Sequence, residues 1–392
     1  MKKALVILII LTLLFGGCQT KREVKESNTF HKLIPNFQYF QMIDRNNGWA
    51  IGENMGENMG ENKVFITNDG GTTWVTALTS AIGDIREWFF MDSDHAWILY
   101  SNETLYKTED RGKNWDADEV PFGMGKLFFI NSGGEYQGWA LKEYGPASGN
   151  VPVDVYKLIN NKWTLIHEGE LPNSTSASPN PLPYEGEKKS FVFLPDVKTG
   201  FITVERCEPG KSSLYMTTDG RYTWNKKIIP LLSRFDEEYI SVYSLKLVDG
   251  EIIWPISAFD DVRGDFEEVF LVSKDNGNSW KEKASFVSKN SPREVYVVDE
   301  ENWYVLFEDE LFKTNNGGNT WEKLNIPQGT FQIQFIDNKT VWALASTSGG
   351  TSYGWLPVRT DILHGYVSTS WVTLHRETSS EWVLMLNNGY VN

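Results

Sequence analysis

The stretch Thr67-Asn-Asp-Gly-Gly-Thr-Thr-Trp74 decides the fold, because close copies of it recur along the chain. In this pattern the Asp side chain can accept hydrogen bonds from the backbone of a tight turn. Gly reaches the positive φ angles that such a turn requires, and Trp buries a large apolar surface over the hairpin. The copies, which we call boxes, follow Ser/Thr-x-Asp-x-Gly-x-x-Trp with single exchanges: Thr67–Trp74, Thr108–Trp115, Thr217–Trp224, Ser273–Trp280 and Thr314–Trp321.

The conserved positions of the boxes are predicted to be structural. In the fifth box Asn316 replaces the acid, which a turn tolerates and a catalytic carboxylate would not. We therefore assign a role in turn formation to the acid or amide and to the Trp of each box: Asp69, Trp74, Asp110, Trp115, Asp219, Trp224, Asp275, Trp280, Asn316 and Trp321.

A second element is a short apolar segment with an aromatic residue, which follows a β-rich run and a polar turn. It occurs seven times, around Trp49, Trp97, Trp139, Phe201, Trp254, Trp303 and Trp342. Together the two elements describe a unit of strand, turn, Trp strand, loop, strand, box and strand. Four antiparallel strands in about 40 to 60 residues are typical of one blade of a β-propeller.

The spacing of the boxes predicts the number of blades. Asp110 and Asp219 are 109 residues apart, which leaves room for a further unit with a shortened box at Val155–Trp163. We interpret Tyr366–Trp371 as a seventh, eroded box that lacks both Asp and Gly. The sequence therefore predicts an all-β fold, a seven-bladed β-propeller of four-stranded antiparallel blades with Asp-box turns, over residues 31–392.

The N-terminus is predicted to be a lipoprotein signal peptide at residues 1–17. Lys2 and Lys3 precede an apolar run that is too short to span a bilayer, and small residues follow it before Cys18. Cys18 is the predicted lipidation site, and residues 18–30 form a predicted flexible tether. We expect a bacterial protein that is anchored in the cell membrane through its lipid, on the extracytoplasmic side.

Charge and composition exclude several functions. The net charge is −15 at pH 7, and loss of Lys2 and Lys3 with the signal would make it −17. Such an acidic surface argues against a nucleic-acid partner. Apart from Cys18 the chain has one cysteine, Cys207, and its five histidines show no ligand spacing. We therefore expect no metal and no cofactor.

The boxes resemble the Asp-box, or BNR, repeat of the photosystem II assembly and stability factor-like family and, more distantly, of sialidase and sortilin propellers. The resemblance covers residues 36 to about 370 and also extends to bacterial lipoproteins with the same repeats. It implies a membrane-tethered propeller that presents one face to a macromolecular partner. Members of the assembly-factor family use a basic patch for this purpose, whereas this chain is strongly acidic.

The resemblance to sialidases does not extend to their catalytic residues. Sialidases bind the substrate carboxylate with three arginines, use a Tyr-Glu pair as nucleophile and carry an Arg-Ile-Pro-like motif. The corresponding segment here is Lys32–Pro35, without Arg, and Arg206, Arg263 and Arg359 form no recognisable constellation. We predict no catalytic residues. A glycan-binding protein or a glycoside hydrolase-like enzyme with another carboxylate pair stays open as an alternative, as does a purely structural envelope component.

The long loops are predicted to lie on the face opposite the boxes. If each box joins the third and fourth strands of a blade, the loops between the second and third strands lie at the other end. Extra length on one face indicates binding, although a solvated acidic rim that aids solubility would have the same composition. The candidate binding residues combine charge and aromatic rings and are predicted to contact a protein or glycan: Asp260, Asp261, Phe266, Tyr353 and Trp355.

Overall fold

Antiparallel strands make up nearly all the regular structure of the computed structural model. It describes residues 35–54, 62–79, 83–145, 150–171, 176, 178, 180–220, 222–307, 310–326, 330–336, 340–346, 355–359, 365–367, 370–378 and 381–387. The helical structure in these ranges is one short 3-10 helix, Pro230–Phe235. None of the residues in these ranges belongs to a helix with the length and hydropathy needed to cross a membrane.

The first half of the chain folds into three antiparallel sheets of four strands each, paired in sequence order. Blade 1 comprises β1 (Pro35–Met42), β2 (Gly48–Asn54), β3 (Lys63–Thr67) and β4 (Val75–Thr79). Blade 2 comprises β5 (Ile85–Phe90), β6 (Ala96–Tyr100), β7 (Thr104–Thr108) and β8 (Asp116–Glu119). Blade 3 comprises β9 (Gly125–Ser132), β10 (Glu135–Glu143), β11 (Val153–Ile159) and β12 (Lys162–Glu168).

Three further blades follow with the same order of strands. Blade 4 comprises β13 (Glu187–Phe193), β14 (Gly200–Glu205), β15 (Ser213–Thr217) and β16 (Asn225–Lys227). Blade 5 comprises β17 (Tyr239–Val242) and β18 (Lys246–Val248), which both pair with β19 (Glu251–Asp260), then β20 (Asp265–Ser273) and β21 (Lys281–Ser288). Blade 6 comprises β22 (Glu294–Val297), β23 (Trp303–Leu306), β24 (Leu311–Thr314) and β25 (Glu322–Leu324).

The chain ends in two smaller sheets, so the prediction of seven four-stranded blades is wrong. The closing sheet has three strands, β26 (Thr330–Phe335), β27 (Val341–Ser346) and β28 (Trp355–Arg359). A separate sheet contains β29 (Gly365–Val367), β30 (Ser370–Thr378) and β31 (Glu381–Asn387). The described residues thus form a propeller of six blades with four or more strands. Tyr366–Trp371, the predicted eroded box, instead connects β29 to β30, because Tyr366 pairs directly with Trp371.

The predicted Trp element is the second strand of every blade and of the closing sheet. Its aromatic residue is at most 3% exposed in each of the seven sheets: Trp49, Trp97, Trp139, Phe201, Trp254, Trp303 and Trp342. Second strands have neighbours on both sides, so their apolar side chains pack between adjacent sheets. Burial on both faces explains why polar and apolar residues do not alternate along this element.

First strands form the inner side of the ring, where neighbouring sheets contact one another. β5 contacts β9, β9 contacts β13, and β26 contacts both β22 and β1. The ring closes through two amide side chains of β26, which exchange four hydrogen bonds with the backbone of β1. Gln332 bonds to the N–H and C=O of Phe40 at 3.2 and 2.8 Å, and Gln334 bonds to those of Met42 at 2.6 and 2.7 Å.

Polar side chains also accept hydrogen bonds from backbone N–H groups at the edges of other first strands. The Glu87 carboxylate accepts from the Leu127 N–H of blade 3 at 3.4 Å, and Glu205 accepts from Val242 of blade 5 at 2.9 Å. The Tyr296 hydroxyl accepts from the Ile333 N–H of the closing sheet at 2.9 Å. An unpaired strand edge invites wrong pairing, and these contacts occupy it with the next sheet of the ring.

Indole N–H groups also join neighbouring sheets. Trp49 of blade 1 donates to the Asp92 carbonyl of blade 2 at 2.8 Å, and Trp139 of blade 3 donates to Gly220 of blade 4 at 3.2 Å. Trp342 of the closing sheet donates to Gly70 of blade 1 at 3.3 Å. These buried donors are thereby satisfied at the same contacts that bring the sheets together.

The five boxes connect the third strand to the fourth in blades 1, 2, 4, 5 and 6. In the first box, Asp69 Oδ1 accepts from the Thr73 N–H at 2.8 Å and from the Thr67 hydroxyl at 2.9 Å, and the Gly71 N–H donates to that hydroxyl at 2.9 Å. Gly70 and Gly71 both have positive φ, at 70° and 85°. Blade 3 has instead the two-residue turn Asn160–Asn161, which was the predicted shortened box.

In blades 1, 2 and 6 the box lies beside the turn that joins the first two strands of the blade. Gly70 N–H donates to Asn46 C=O at 2.9 Å, Arg111 to Asp94 at 3.0 Å and Gly317 to Glu301 at 2.9 Å. We call this end of the blades the box face and the opposite end, which carries the β19–β20 turn, the loop face. The predicted separation of box turns from the loops between second and third strands is therefore confirmed by the strand order.

Candidate functional site

The predicted binding residues of blade 5 lie at the β19–β20 hairpin on the loop face. Asp260 ends β19, Asp261 begins the turn, and Phe266 lies in β20. Trp355 begins β28, on the closing sheet. Tyr353 and Cys18 lie outside the described residues, so both assignments stay predictions.

The two neighbouring acids of this hairpin have different surroundings. Asp260 Oδ1 accepts from the N–H groups of Val262 and Arg263, each at 2.9 Å, and Oδ2 accepts from the Arg263 guanidinium. These hydrogen bonds, of which the one from the Arg263 N–H has the largest effect, hold the pKa of Asp260 below its usual value. Asp261 is exposed, and its carboxylate has no hydrogen bond or ion pair in the described part of the chain. Asp260 therefore builds the turn, and Asp261 is the acid that is available to a partner.

An aromatic row crosses the base of the hairpin. Tyr239, Phe259 and Phe266 are register partners in β17, β19 and β20, and the rings of Phe259 and Phe266 lie 4.7 Å apart between centroids. Val262, at the tip, is 91% exposed. The row gives the exposed apolar tip a rigid support.

Acidic groups surround the row. Glu238 has a buried carboxylate oxygen with no hydrogen-bond partner in the described residues. Burial raises the pKa of Glu238, and the neighbouring carboxylate of Asp260 raises it further. Two arginines compensate part of this charge. Arg234 bridges Glu267 and Glu282 at 2.8 and 2.7 Å, and Arg263 contacts Asp260 and Asp265.

Three close carboxylate pairs in the described residues share a cation. Lys189 lies between Glu187 and Glu205, at 2.9 and 3.4 Å from their oxygens, and the pairs at Arg234 and Arg263 follow the same plan. A glycosidase needs one carboxylate protonated and the other ionised, and a shared cation favours the ionised form of both. Arg206 is bound to Glu185 and Glu208, so neither it nor Arg263 is available for a substrate carboxylate.

Several carboxylates near the ring interior are strongly perturbed. Burial raises the pKa of Glu87 to about 7 and that of Glu268, which is 2% exposed, to about 8. Burial also raises the pKa of Glu294, which accepts a hydrogen bond from the Tyr296 hydroxyl. Tyr296 and Glu294 form a Tyr–Glu pair, but the Ile333 N–H also binds this hydroxyl, so the pair is part of the contact between blade 6 and the closing sheet.

The turn between the first and second strands contains a repeat that sequence reasoning missed. An Asp accepts hydrogen bonds from the N–H groups two and three residues later, and the third residue bonds back to it through its side chain. The four pairs are Asp44 with Asn47, Asp92 with His95, Asp196 with Thr199, and Asp299 with Asn302. We call these the Asp turns. The signal was present as Asp-x-x-Asn/His/Thr immediately before the Trp element.

Blade 2 departs from this repeat at His95. Its Nδ1 lies 2.8 Å from Asp92 Oδ1, and its Nε2 lies 2.6 Å from the Tyr136 hydroxyl of blade 3. Burial raises the pKa of Asp92, but the hydrogen bonds from His95 and Asp94 outweigh it, so that this pKa lies below its usual value. Burial and then the Asp92 charge raise the pKa of Tyr136.

A cavity of about 560 Å³ opens beside this contact, between blades 2 and 3 on the box face. Its wall includes Tyr136 and seven other polar residues: Lys107, Glu109, Glu135, Gln137, Lys157, Asn160 and Asn161. The box face therefore carries a cavity as well as the turns. Blade 3 lacks both the Asp turn and the full box, and residues from its two hairpins line the cavity together with residues of blade 2.

Comparison with known proteins establishes the fold but assigns the chain to no family. No family model matches the sequence, and no curated protein matches it. Among solved structures, the chain is similar to "YCF48 bound to D1 peptide", with a TM-score of 0.51 and 13% identity over 86% of this chain and 93% of the other. YCF48 from Cyanidioschyzon merolae has a TM-score of 0.50 and 17% identity, over 83% and 95%.

An ulvan lyase of polysaccharide lyase family PL25, bound to -[GlcA(1-4)Rha3S]-, is also similar, with a TM-score of 0.51 and 10% identity over 83% of this chain and 94% of the other. At these identities the likeness establishes the β-propeller fold alone. The chain is an all-β propeller whose relatives by fold include both a peptide-binding protein and a glycan-active enzyme.

Proposed function

We propose that the chain is an Asp-box repeat lipoprotein, anchored through Cys18 on the extracytoplasmic side of a bacterial membrane, whose propeller binds a protein partner. The partner segment is apolar and basic, and it binds the β19–β20 hairpin on the loop face of blade 5. Tyr353 and Trp355 belong to the proposed surface as candidates from the sequence. This function requires no cofactor, metal or catalytic group.

The exposed tip of the hairpin carries the proposal. Val262 is 91% exposed in the turn that joins two long paired strands, and the rings of Phe259 and Phe266 lie 4.7 Å apart between centroids at the base of this turn. Aromatic side chains on a rigid support are typical anchors of protein interfaces, because little conformational entropy is lost when they bind. Val262 adds exposed apolar surface beside them.

The surrounding charge favours a basic segment. Asp261 is exposed without a partner among the described residues, and Glu238 has one buried oxygen without a partner there. A lysine or arginine in this position would gain charge-assisted hydrogen bonds. The net charge of −15 would also speed the encounter with a basic partner.

The fold comparison supports protein binding as the function of the propeller. One similar structure is described as bound to a D1 peptide, so this architecture is compatible with peptide capture. A glycan-active enzyme is the alternative, and the similar ulvan lyase supports it through fold only. The bridged carboxylate pairs of the described residues favour the binding protein.

Two matched variants test the surface. We expect Val262→Asp in the full-length protein to reduce cross-linking of the partner in membranes at least tenfold, because a charge would replace the apolar anchor. Val75→Asp is the control, since Val75 is also exposed, at 62%, but lies at the box end of β4. Equal loss in both variants, or loss in the control only, would contradict the proposed surface.

The anchor is tested separately. Mass spectrometry of the mature protein should show a lipid-modified Cys18 as its first residue, and Cys18→Ala should abolish this modification. An unmodified N-terminus at another residue would refute lipidation, and it would leave the proposed binding surface standing.

A further inference from the structure

The cavity on the box face lies where the internal repeat of the propeller is broken. In blades 1, 4 and 6 the last residue of the Asp turn is Asn47, Thr199 or Asn302, and each returns a short side chain to its Asp. Among the described residues these three side chains bind the Asp of their own turn and make no hydrogen bond to a neighbouring blade. They provide an internal standard for the same position in blade 2.

His95 keeps the function of this position and adds a second contact. Its Nδ1 binds Asp92 as the short side chains do, and its Nε2 reaches the Tyr136 hydroxyl, with the two rings 4.6 Å apart between centroids. The carboxylate favours the tautomer with the proton on Nδ1, so that Nε2 accepts the phenolic proton. The Tyr136 oxygen, which also accepts from the Asn131 side chain, lies in the wall of the cavity and can accept one further hydrogen bond there.

The turn that holds this chain of contacts is itself fixed. The Asp92 carbonyl accepts the Trp49 indole N–H of blade 1, and Asp92 Oδ1 accepts the N–H groups of Asp94 and His95. On the other side, Tyr136 follows the two-residue turn Gly133–Gly134, which replaces the Asp turn in blade 3. Residues of three blades therefore position the Tyr136 hydroxyl group. A turn with only a local structural role would not require these contacts between blades.

The cavity is large enough and polar enough for a small ligand. Its volume of about 560 Å³ falls within the roughly 300 to 1,000 Å³ of small-molecule sites. The amides of Gln137, Asn160 and Asn161 supply donors and acceptors together. Lys107 is paired with Glu109 at 2.5 Å, so the wall presents both signs of charge at close range.

We propose that this cavity is a saccharide-binding site in which Tyr136, oriented by His95 and Asp92, accepts a hydrogen bond from a ligand hydroxyl. A sugar ring offers alternating hydroxyl donors and acceptors, which match the amides and the balanced charges of the wall. An anionic ligand would need unpaired cations, and an apolar ligand would leave these polar groups without partners. The site is separate from the loop face and does not depend on the proposed protein partner.

The test measures binding of defined oligosaccharides to the full-length protein. The probes are maltotetraose, cellotetraose, chitotetraose and tetragalacturonate in isothermal titration calorimetry, with tetra-alanine as a peptide of similar size. We expect one or more of the neutral sugars to bind. Binding of tetra-alanine or tetragalacturonate alone, or of no probe, would overturn the assignment to a neutral saccharide.

His95→Asn is the informative variant, because it restores the residue that blades 1 and 6 use and keeps the bond to Asp92. We expect it to weaken sugar binding at least tenfold with an unchanged melting temperature, and Tyr136→Phe to do the same. Asn302→His, at the equivalent position of blade 6, is the control and should bind as the wild type does. Wild-type affinity in both His95→Asn and Tyr136→Phe would show that the hydrogen bonds from Asp92 through His95 to Tyr136 have no part in binding.

Discussion

At the scale of single residues, the interior contains ionisable groups whose hydrogen bonds are made to specific buried partners. Glu268 accepts from the hydroxyls of Ser257 at 3.0 Å and Ser288 at 3.5 Å, and burial raises its pKa to about 8. Lys188 is 0% exposed, donates to carbonyls that include those of Val151 and Pro183, both at 2.7 Å, and has a pKa lowered by burial to about 8. Each should leave a measurable signature in stability.

Glu268→Gln should change how stability depends on pH. The unfolded side chain ionises near pH 4.3, whereas the folded one keeps its proton to about pH 8. Between these values the unfolded state alone releases the proton, so the wild type loses stability as pH rises. We expect the variant to lie close to the wild type near pH 4.5 and to exceed it by about 4 to 5 kcal/mol at pH 8.

Urea unfolding at pH 4.5, 6.5 and 8 checks this expectation. Glu237→Gln is the control, because Glu237 is exposed, and it should follow the wild type at every pH. A Glu268→Gln variant that is less stable than the wild type at pH 8 would mean that the ionised carboxylate is needed in the folded protein.

Lys188→Met should destabilise the fold strongly. The ammonium group also lies 3.0 to 3.4 Å from the carbonyls of Tyr184, Glu185 and Gly186. Its removal leaves these buried acceptors without a donor, and we expect a loss of about 3 kcal/mol in the free energy of unfolding. Lys226→Met, at an exposed position of β16, should change it by less than about 0.5 kcal/mol. Equal effects of the two would contradict the role of Lys188.

At the scale of elements, the sequence predicted the parts that depend on local chemistry. The Trp strands and the five boxes were predictable because burial on two sides and positive φ angles each demand particular residue types. Asp260 and Asp261 could not be distinguished, since which of two adjacent carboxylates folds back onto a turn depends on the path of the hairpin. The Asp turns were missed because a lone Asp before an apolar run is common in loops.

The first box gives a direct test of what its acid does. Asp69→Ala removes the acceptor for the Thr73 N–H, which lies at 2.8 Å, and for the hydroxyls of Thr67 and Thr73. We expect a loss of about 1 to 3 kcal/mol in the free energy of unfolding. Asp69→Asn should cost less, because Asn316 makes the corresponding bonds to the Thr320 N–H at 3.0 Å and to the Thr314 hydroxyl at 2.9 Å.

Thermal unfolding of Asp69→Ala and Asp69→Asn distinguishes a role of the acceptor oxygen from a role of the negative charge. A loss in Asp69→Asn as large as that in Asp69→Ala would show that the negative charge, and not the acceptor oxygen, stabilises the turn. Wild-type stability in Asp69→Ala would end the structural interpretation of the box.

At the scale of the whole molecule, the number of blades could not be predicted from the sequence. The count of seven relied on Tyr366–Trp371 as the last box, but this segment pairs with itself in the β29–β31 sheet. Two glutamine side chains of β26 take part in closing the ring together with Trp342 and the apolar residues around it, and no periodic pattern marks the glutamines. The cavity between blades 2 and 3 was also unpredictable, because residues that lie far apart in the sequence, such as Lys107 and Asn160, line it together.

The double variant Gln332→Leu with Gln334→Leu should weaken this closure. The backbone groups of Phe40 and Met42 would lose four hydrogen bonds from β26. We expect hydrogen exchange at the Phe40 and Met42 amides to become at least tenfold faster, with little change at Leu127 and Val242, the equivalent amides of blades 3 and 5. Uniform acceleration at all four positions would indicate global destabilisation instead of local opening.

The indole contacts from Trp49, Trp139 and Trp342 to neighbouring sheets have a consequence for how such a chain can change over generations. An open array of repeats can gain a unit at its end, because the added repeat packs against only one neighbour. In a closed cycle an inserted unit must fit two neighbours at once and alter the angle at every joint. Tolerated insertions are therefore confined to the hairpin ends, and the tandem Gly-Glu-Asn-Met duplication begins at Gly52, in β2, and precedes β3 in the sequence.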